Sequence, residues 1–492
     1  MTCNQKDFGL IRTIKLISIF TICIFLGTVP SFAIDEISQG AILSLDECIE
    51  LAIKNSPKVN IALNNMKVTK SRIGQAKSDF FPRFGIDGGY SGTNMSYDGR
   101  STSDDVFSAG VALNQLIYNF GKTGAKIKTQ EFYNIASTFD YENTVLATVN
   151  EVKNAYYGIL AAKASQEVAY TNVEINKRQY EQIRAYYVEG LKSRIDFINA
   201  EVNLSNSRID LITAQASYDN ALVRLNNSMY IVNAPEYMIK NTETFNLEDD
   251  WADVKFLNIA NYKALEEEIS SPSSILPDDL SDKPASLTIR TEKTDILENY
   301  SFKPYDKTFA EVLQIAKEQR PDFKSYAATR DAMKEALKYT KKEYFPEISA
   351  RAGYDWKESD SISNRGWNYS AMLSVPLVNI MSTKTKVEEA EAQLGIAEEN
   401  LDLIEKSIYF EVQNAYITMV QLEKQIPLVD SRVAQALENF RLADGRYGTG
   451  LGNFIELQDA RGKYINAQQE YVQTIYNYNT ARTTLETAMG VR

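Results

Sequence analysis

Two carboxylates late in the chain, Glu456 and Asp459, stand three residues apart within a helical pattern, which places both on one helix face. Acids so placed can attract a cation. They can equally lie in solvent, with Asp459 pairing to Lys463 four residues on. No further acid is drawn into a pocket with them, and the 492 residues include no histidine. That excludes Ser-His-Asp and Cys-His nucleophiles and every His-ligated metal site. Gly121-Lys122-Thr123 has the ending of a phosphate loop, but Leu116 stands where that loop needs its first glycine. Tyr156, Tyr157, Tyr471, Tyr476 and Tyr478 fall on helix seams, where core packing accounts for them. The residues predict no catalytic group, no metal site and no cofactor, and an enzyme is the least supported class.

The N-terminus sets the address. Lys6, Arg12 and Lys15, then apolar Leu16 to Val29, then Ser31-Phe32-Ala33 read as a secretory leader over residues 1–33. Its apolar core is short for a bilayer span. Cleavage after Ala33 removes those three basic residues and Asp7, taking the net charge from −12 to −14. An acidic surface does not suit nucleic acid, so no nucleic-acid partner is expected. Cys48 is the one cysteine left after cleavage, and no internal disulfide can form.

The elements that must position Glu456 and Asp459 are rods. From Val387 to Ile408, and again from Val412 to Tyr447, apolar residues recur three and four apart, the seam of a coiled coil. Ile404, Ile408 and Val412 form a stutter between the two runs. The predicted helix is about 65 residues, or roughly 95–100 Å at 1.5 Å per residue. Pro427 is the residue expected to kink it. It ends at Gly448-Thr449-Gly450-Leu451, and a return helix follows from Phe454 to Met489.

The chain is also a duplication. Leu45, Glu47, Ile49 and Ala52 reappear 264 residues later as Phe309, Glu311, Leu313 and Ala316, and Pro57 reappears as Pro321. Beyond the next loop the offset is 260: Tyr187-x-x-Gly190-Leu191 matches Tyr447-x-x-Gly450-Leu451. Residues 34–230 and 306–492 are read as two repeats, each a short helix, a helix, two strands, a long helix and a return helix. Between them, residues 231–305 hold 15 acidic and 7 basic residues with Ser270-Ser271-Pro272-Ser273-Ser274, a composition that predicts partial disorder. Helix or strand pieces at 258–269 and 285–290 are expected within it.

In each repeat the period switches to two after Phe-Pro. Phe84, Ile86, Gly88 and Tyr90 alternate with polar or small residues, as do Ile348, Ala350, Ala352, Tyr354 and Trp356. Polar loops are predicted at 96–105 and 358–365, with strands of about ten residues on either side and aromatics near the loop end, the pattern of outer-membrane strands. Four strands leave two edges that lipid cannot satisfy, so the sheet must be completed by other copies. Three copies would give twelve strands. The predicted fold is mainly α, with a membrane β-barrel part and tandem coiled-coil hairpins forming an α-barrel. The alternative is a non-conducting periplasmic or surface coiled-coil protein, which leaves the alternating strands unused.

The leader, the tandem halves, Asn55-Ser56-Pro57, the Phe-Pro strand entries, Gly121-Lys122 and the two Tyr-x-x-Gly-Leu turns together resemble the TolC family of outer-membrane efflux proteins. The resemblance implies a homotrimer, a barrel in outer-membrane lipid of a Gram-negative cell, and a helical tunnel across the periplasm. It implies docking of a periplasmic adaptor and an inner-membrane transporter, for export of small molecules or proteins. By the same resemblance, Gly190, Leu191, Gly450 and Leu451 are docking tips, and Glu456 and Asp459 ring the periplasmic constriction. Tyr447 and Asp196 would latch it. A second family link, arginine to threonine, falls here on Gly452 and Ile195 and is absent.

Overall fold

The computed structural model describes residues 37–97, 100–240, 305–359, 363–376 and 380–491. The leader and residues 241–304 of the acidic insert, with both pieces expected there, lie outside these residues.

The first half begins with β1 (Ile42–Leu43) and α1 (Leu45–Asn55). Ser44 caps α1 reciprocally: its hydroxyl accepts the Glu47 N–H at 3.4 Å while the Glu47 carboxylate accepts the Ser44 N–H at 2.7 Å. Pro57 opens α2 (Pro57–Lys77), where the missing N–H would have no helical partner anyway. Then follow β2 (Arg83–Tyr97), β3 (Arg100–Tyr118), α3 (Lys122–Val188), α4 (Arg194–Ser228) and β4 (Met238–Ile239). The second half repeats the order with α5 (Phe309–Gln319), α6 (Pro321–Lys341), β5 (Glu347–Ser359), β6 (Ser363–Ser374), α7 (Ile380–Gly448) and α8 (Phe454–Ala488). Thr308 and Glu311 repeat the capping box, and Pro321 repeats the proline start.

The rods α3 and α7 have 67 and 69 residues, each about 100 Å long. Along α7 the anticipated seam faces inward: Ile408, Val412, Met419, Ile426, Val433, Phe440 and Tyr447 are all buried. The helix is continuous through Pro427, the residue expected to kink it. Pro427 lies on the exposed face, so the carbonyl of Glu423 that lacks its N–H partner can be hydrated. Ile426 and Val429 on either side are held in the core.

Three layers are each four elements wide. The sheet runs β2-β3-β5-β6, all antiparallel. Beneath it the helices pack in the order α2-α3-α6-α7, and towards the far end in the order α4-α3-α8-α7. At mid-height the parallel pair β1–β4, with α1, covers a core of Cys48, Tyr156, Leu225, Met229 and Tyr476. Four of the five seam tyrosines are core residues, as their spacing predicted: Tyr156, Tyr471, Tyr476 and Tyr478 are buried, and Tyr157 is half-buried.

The strands exceed the expected ten residues, at 15, 19, 13 and 12. The polar stretches read as loops continue the ladders, with Tyr97 opposite Arg100 and Glu358 opposite Ser363. Backbone pairing does not require apolar side chains, so the sheet outruns its apolar band. Among the described residues no helix is long and apolar enough to cross a membrane.

Candidate functional site: the hairpin tips and the barrel wall

Both rods reverse through the same turn. Gly190 and Gly450 have φ of 75° and 77°, the left-handed region that glycine enters without a Cβ clash. The Leu191 N–H donates to Tyr186 O at 2.8 Å and the Leu451 N–H to Arg446 O at 2.9 Å, the six-to-one bond that closes a helix C-terminus. Leu191 and Leu451 project into solvent, 66% and 79% exposed. The four tip residues singled out in the sequence therefore form two matching exposed ends.

Glu456 and Asp459 are differently placed. Glu456 and Asp459 are both exposed in the first two turns of α8, and each has a basic neighbour: Glu456 lies 3.5 Å from Arg446 and Asp459 2.7 Å from Lys463. Asn453 caps α8 by accepting the Glu456 N–H at 2.7 Å, which leaves the Glu456 carboxylate free to reach Arg446.

Tyr447 and Asp196, the pair read as a latch, share no hydrogen bond. Asp196 turns back to cap its own helix, accepting the Ser193 hydroxyl at 2.9 Å and the Ser193 N–H at 3.4 Å. The Tyr447 hydroxyl is buried with no hydrogen-bond partner among the described residues. Lys192 lies over the tyrosine ring, 4.1 Å from its centre. Burial, and secondarily the Asp196 carboxylate nearby, push the Tyr447 phenol up to about 12. Packing at Gly452 is tight. A Cβ at Gly452 would lie 3.0 Å from the Tyr447 nitrogen and 3.1 Å from Arg446, close enough that the turn would have to give by a few tenths of an ångström.

Sequence reasoning missed a polar cluster behind Glu456 and Asp459. Arg461, 9% exposed, occupies the inward stripe of α8 between Leu457 and Tyr464 and bonds to Asn176 and Gln179 of α3. The signal was available: a charged residue in register with Phe454, Leu457, Tyr464 and Tyr471.

At the other end, register sorts the sheet into two faces. Phe84, Leu113, Ala352 and Tyr369 share one row, and Ile86, Val111, Tyr354 and Trp367 the next. Ile86 and Tyr369 are 87% and 89% exposed, as a lipid-facing surface requires. The opposite face carries Arg83, Asn114, Arg351 and Ser370 in one row, and Asp87, Gly110, Asp355 and Gly366 two rows on. A cavity of about 440 Å³ opens on that polar face where the sheet meets the helices, lined by Arg83, Asn114, Lys122, Lys126, Glu347 and Arg351 among others.

A sheet apolar on one face and polar on the other, standing on rods that end in exposed turns, is the wall of a membrane channel with a long helical extension. The chain belongs to the outer membrane efflux protein family, whose model matches residues 48–229 and 312–491. It is 21% identical over 461 residues to the probable efflux pump outer membrane protein TtgC of Pseudomonas putida, covering 91% of this chain and 83% of that one. To the outer membrane protein TolC of Escherichia coli it is 20% identical over 457 residues, covering 91% and 82%. In fold it is similar to the CmeC outer membrane channel of Campylobacter jejuni, at a TM-score of 0.69, 16% identity and coverage of 94% and 90%. For CusC the TM-score is 0.71 at 16% identity, covering 94% and 97%. The protein is an outer-membrane channel extending into the periplasm and works as a passive exit duct; its relatives are channels rather than enzymes.

Proposed function

We propose that three copies close head to tail into one duct, with Glu456 and Asp459 at its periplasmic constriction and the two tips as docking points for an adaptor. The observation that carries closure is the order of the three layers. Each is a row of four that starts with a first-repeat element and ends with a second-repeat element: β2 and β6, α2 and α7, α4 and α7. The flanking helices expose apolar stripes at coiled-coil spacing. On α7 they are Ile396, Leu403, Phe410 and Ile417, each seven residues on; on α4 they are Ile195, Ile198, Val202, Ile209 and Ile212. Rows with unlike ends form rings.

In this reading the sequence divides into repeats at 34–230 and 306–492, separated by the acidic insert. The carboxylates of three copies face the axis and favour cations. The exposed Leu191 and Leu451, beside glycine backbone, receive an adaptor that links the duct to an inner-membrane transporter; the cargo is small molecules or proteins. The Tyr447–Asp196 pair contributes proximity rather than a bond. Mass measurement in detergent and conductance in planar bilayers test the proposal together. A trimer that conducts ions supports it; a detergent-independent monomer overturns it, and a non-conducting trimer leaves the coiled-coil structural reading.

A further inference from the structure

Towards the tips the two hairpins, α3–α4 and α7–α8, meet chiefly along α3 and α8. Widening at the tips can open that seam, and Arg461 sits in it seven residues from the start of α8, roughly 10 Å at 1.5 Å per residue. Its guanidinium donates to Asn176 Oδ1 and, at 3.1 Å, to Gln179 Oε1. Both partners are neutral amides and both are buried. Among the described residues no carboxylate pairs with Arg461; Asp459, two residues away, pairs with Lys463 instead. Burial alone pulls the guanidinium pKa down to about 10. The cluster is also short of bonds: Gln458 Nε2 shares the same Gln179 oxygen at 3.2 Å, while Gln179 Nε2 and Gln458 Oε1 are buried without partners.

A buried ion held by neutral groups loses hydration without gaining a counter-ion. Parting the seam would hydrate the guanidinium and both orphaned amide atoms at once. We propose that Arg461 is a built-in weak point: its uncompensated buried charge biases the α3–α8 seam towards opening, so that the closed duct is held only marginally shut. This rests on the exit-duct reading, and acts on the same tips. It is the opposite of a latch, which would open when its arginine is removed.

The test uses the full-length protein in planar bilayers and two variants, Arg461→Met and Asn176→Asp. The first removes the ion and the second supplies a counter-charge, so both are expected to lower the ratio of conducting to closed time by about tenfold. Hydrogen exchange of the first three turns of α8 in the detergent-solubilised protein is expected to slow in both. Arg461→Met raising conductance would establish a latch and overturn the proposal; unchanged conductance and exchange in both variants would overturn it too. A wild-type protein that does not conduct at all would defeat the exit-duct reading itself. If either variant fails to fold, the other still decides.

Discussion

Position 196 at the first tip and position 456 at the second are equivalents, 260 residues apart, and both are acids. Asp196 is consumed by its own helix, completing a capping box with Ser193. Glu456 is released because Asn453 caps α8 without it, and it reaches Arg446 instead. The neighbouring tyrosines diverge in the same way. Tyr187 is part-exposed and stacks on Phe197 at 5.2 Å, whereas Tyr447 is buried beneath Lys192. One turn geometry thus supports two ends of different kinds: the first is finished by its own side chains, and the second is finished partly by the first. The second tip is accordingly the one whose first-turn carboxylate is not used by its own cap.

The sharpest way to break this contrast is to neutralise the two ends separately. Glu456→Gln with Asp459→Asn is expected to abolish cation preference, read as the reversal potential across a salt gradient. Asp196→Asn should leave that potential unchanged. If the first-tip variant altered selectivity as much as the second, the division of roles would fail.

Next in size are the turn glycines. Gly452→Ala is expected to destabilise the second tip by about 1–3 kcal/mol through collision with Tyr447 and Arg446 backbone, seen as faster proteolysis at the turn. Its equivalent in the first tip is Lys192, which shows that the same position there tolerates a side chain. Gly190→Ala and Gly450→Ala, both left-handed and in open space, should cost about 1–2 kcal/mol each and equally. Ser193→Ala follows, with a loss of about 1 kcal/mol from the α4 cap, read from the melting temperature.

The smallest effects concern the Tyr447 hydroxyl. With no bond to lose, Tyr447→Phe should leave conductance and neutral-pH stability unchanged. Its phenol is held neutral by burial, with a folded value of about 12 against an ordinary 10. The contribution is therefore complete below pH 10 and lost as pH rises towards 12. Alkaline loosening of the second tip over that window should be weaker in Tyr447→Phe, as followed by proteolysis.

Most of the architecture was written in patterns that repeat many times. The α7 seam extends over some sixty residues, the strands alternate over a dozen, and the duplicated landmarks reinforce one another. Features set by a single contact were not legible. Pro427 falls inside a long helix, and that it stands on the exposed face is not visible in its spacing alone. Asp196 lies near enough to Tyr447 to act on its phenol, yet its carboxylate is bonded to Ser193, a local competition that spacing cannot rank. The polar stretches at 96–105 and 358–365 lack an apolar alternation, whereas the ladder there is made by backbone. Arg461 was visible as a charge on an inward stripe, but its partners lie some 280 residues away in α3.

The rows of four have a geometric consequence. Around a three-copy ring, joints within a chain alternate with joints between chains, and only the former contain the buried arginine. Slack would then be distributed at three places separated by 120° rather than at six, so the mouth would dilate as a triangle whose corners are set inside each chain.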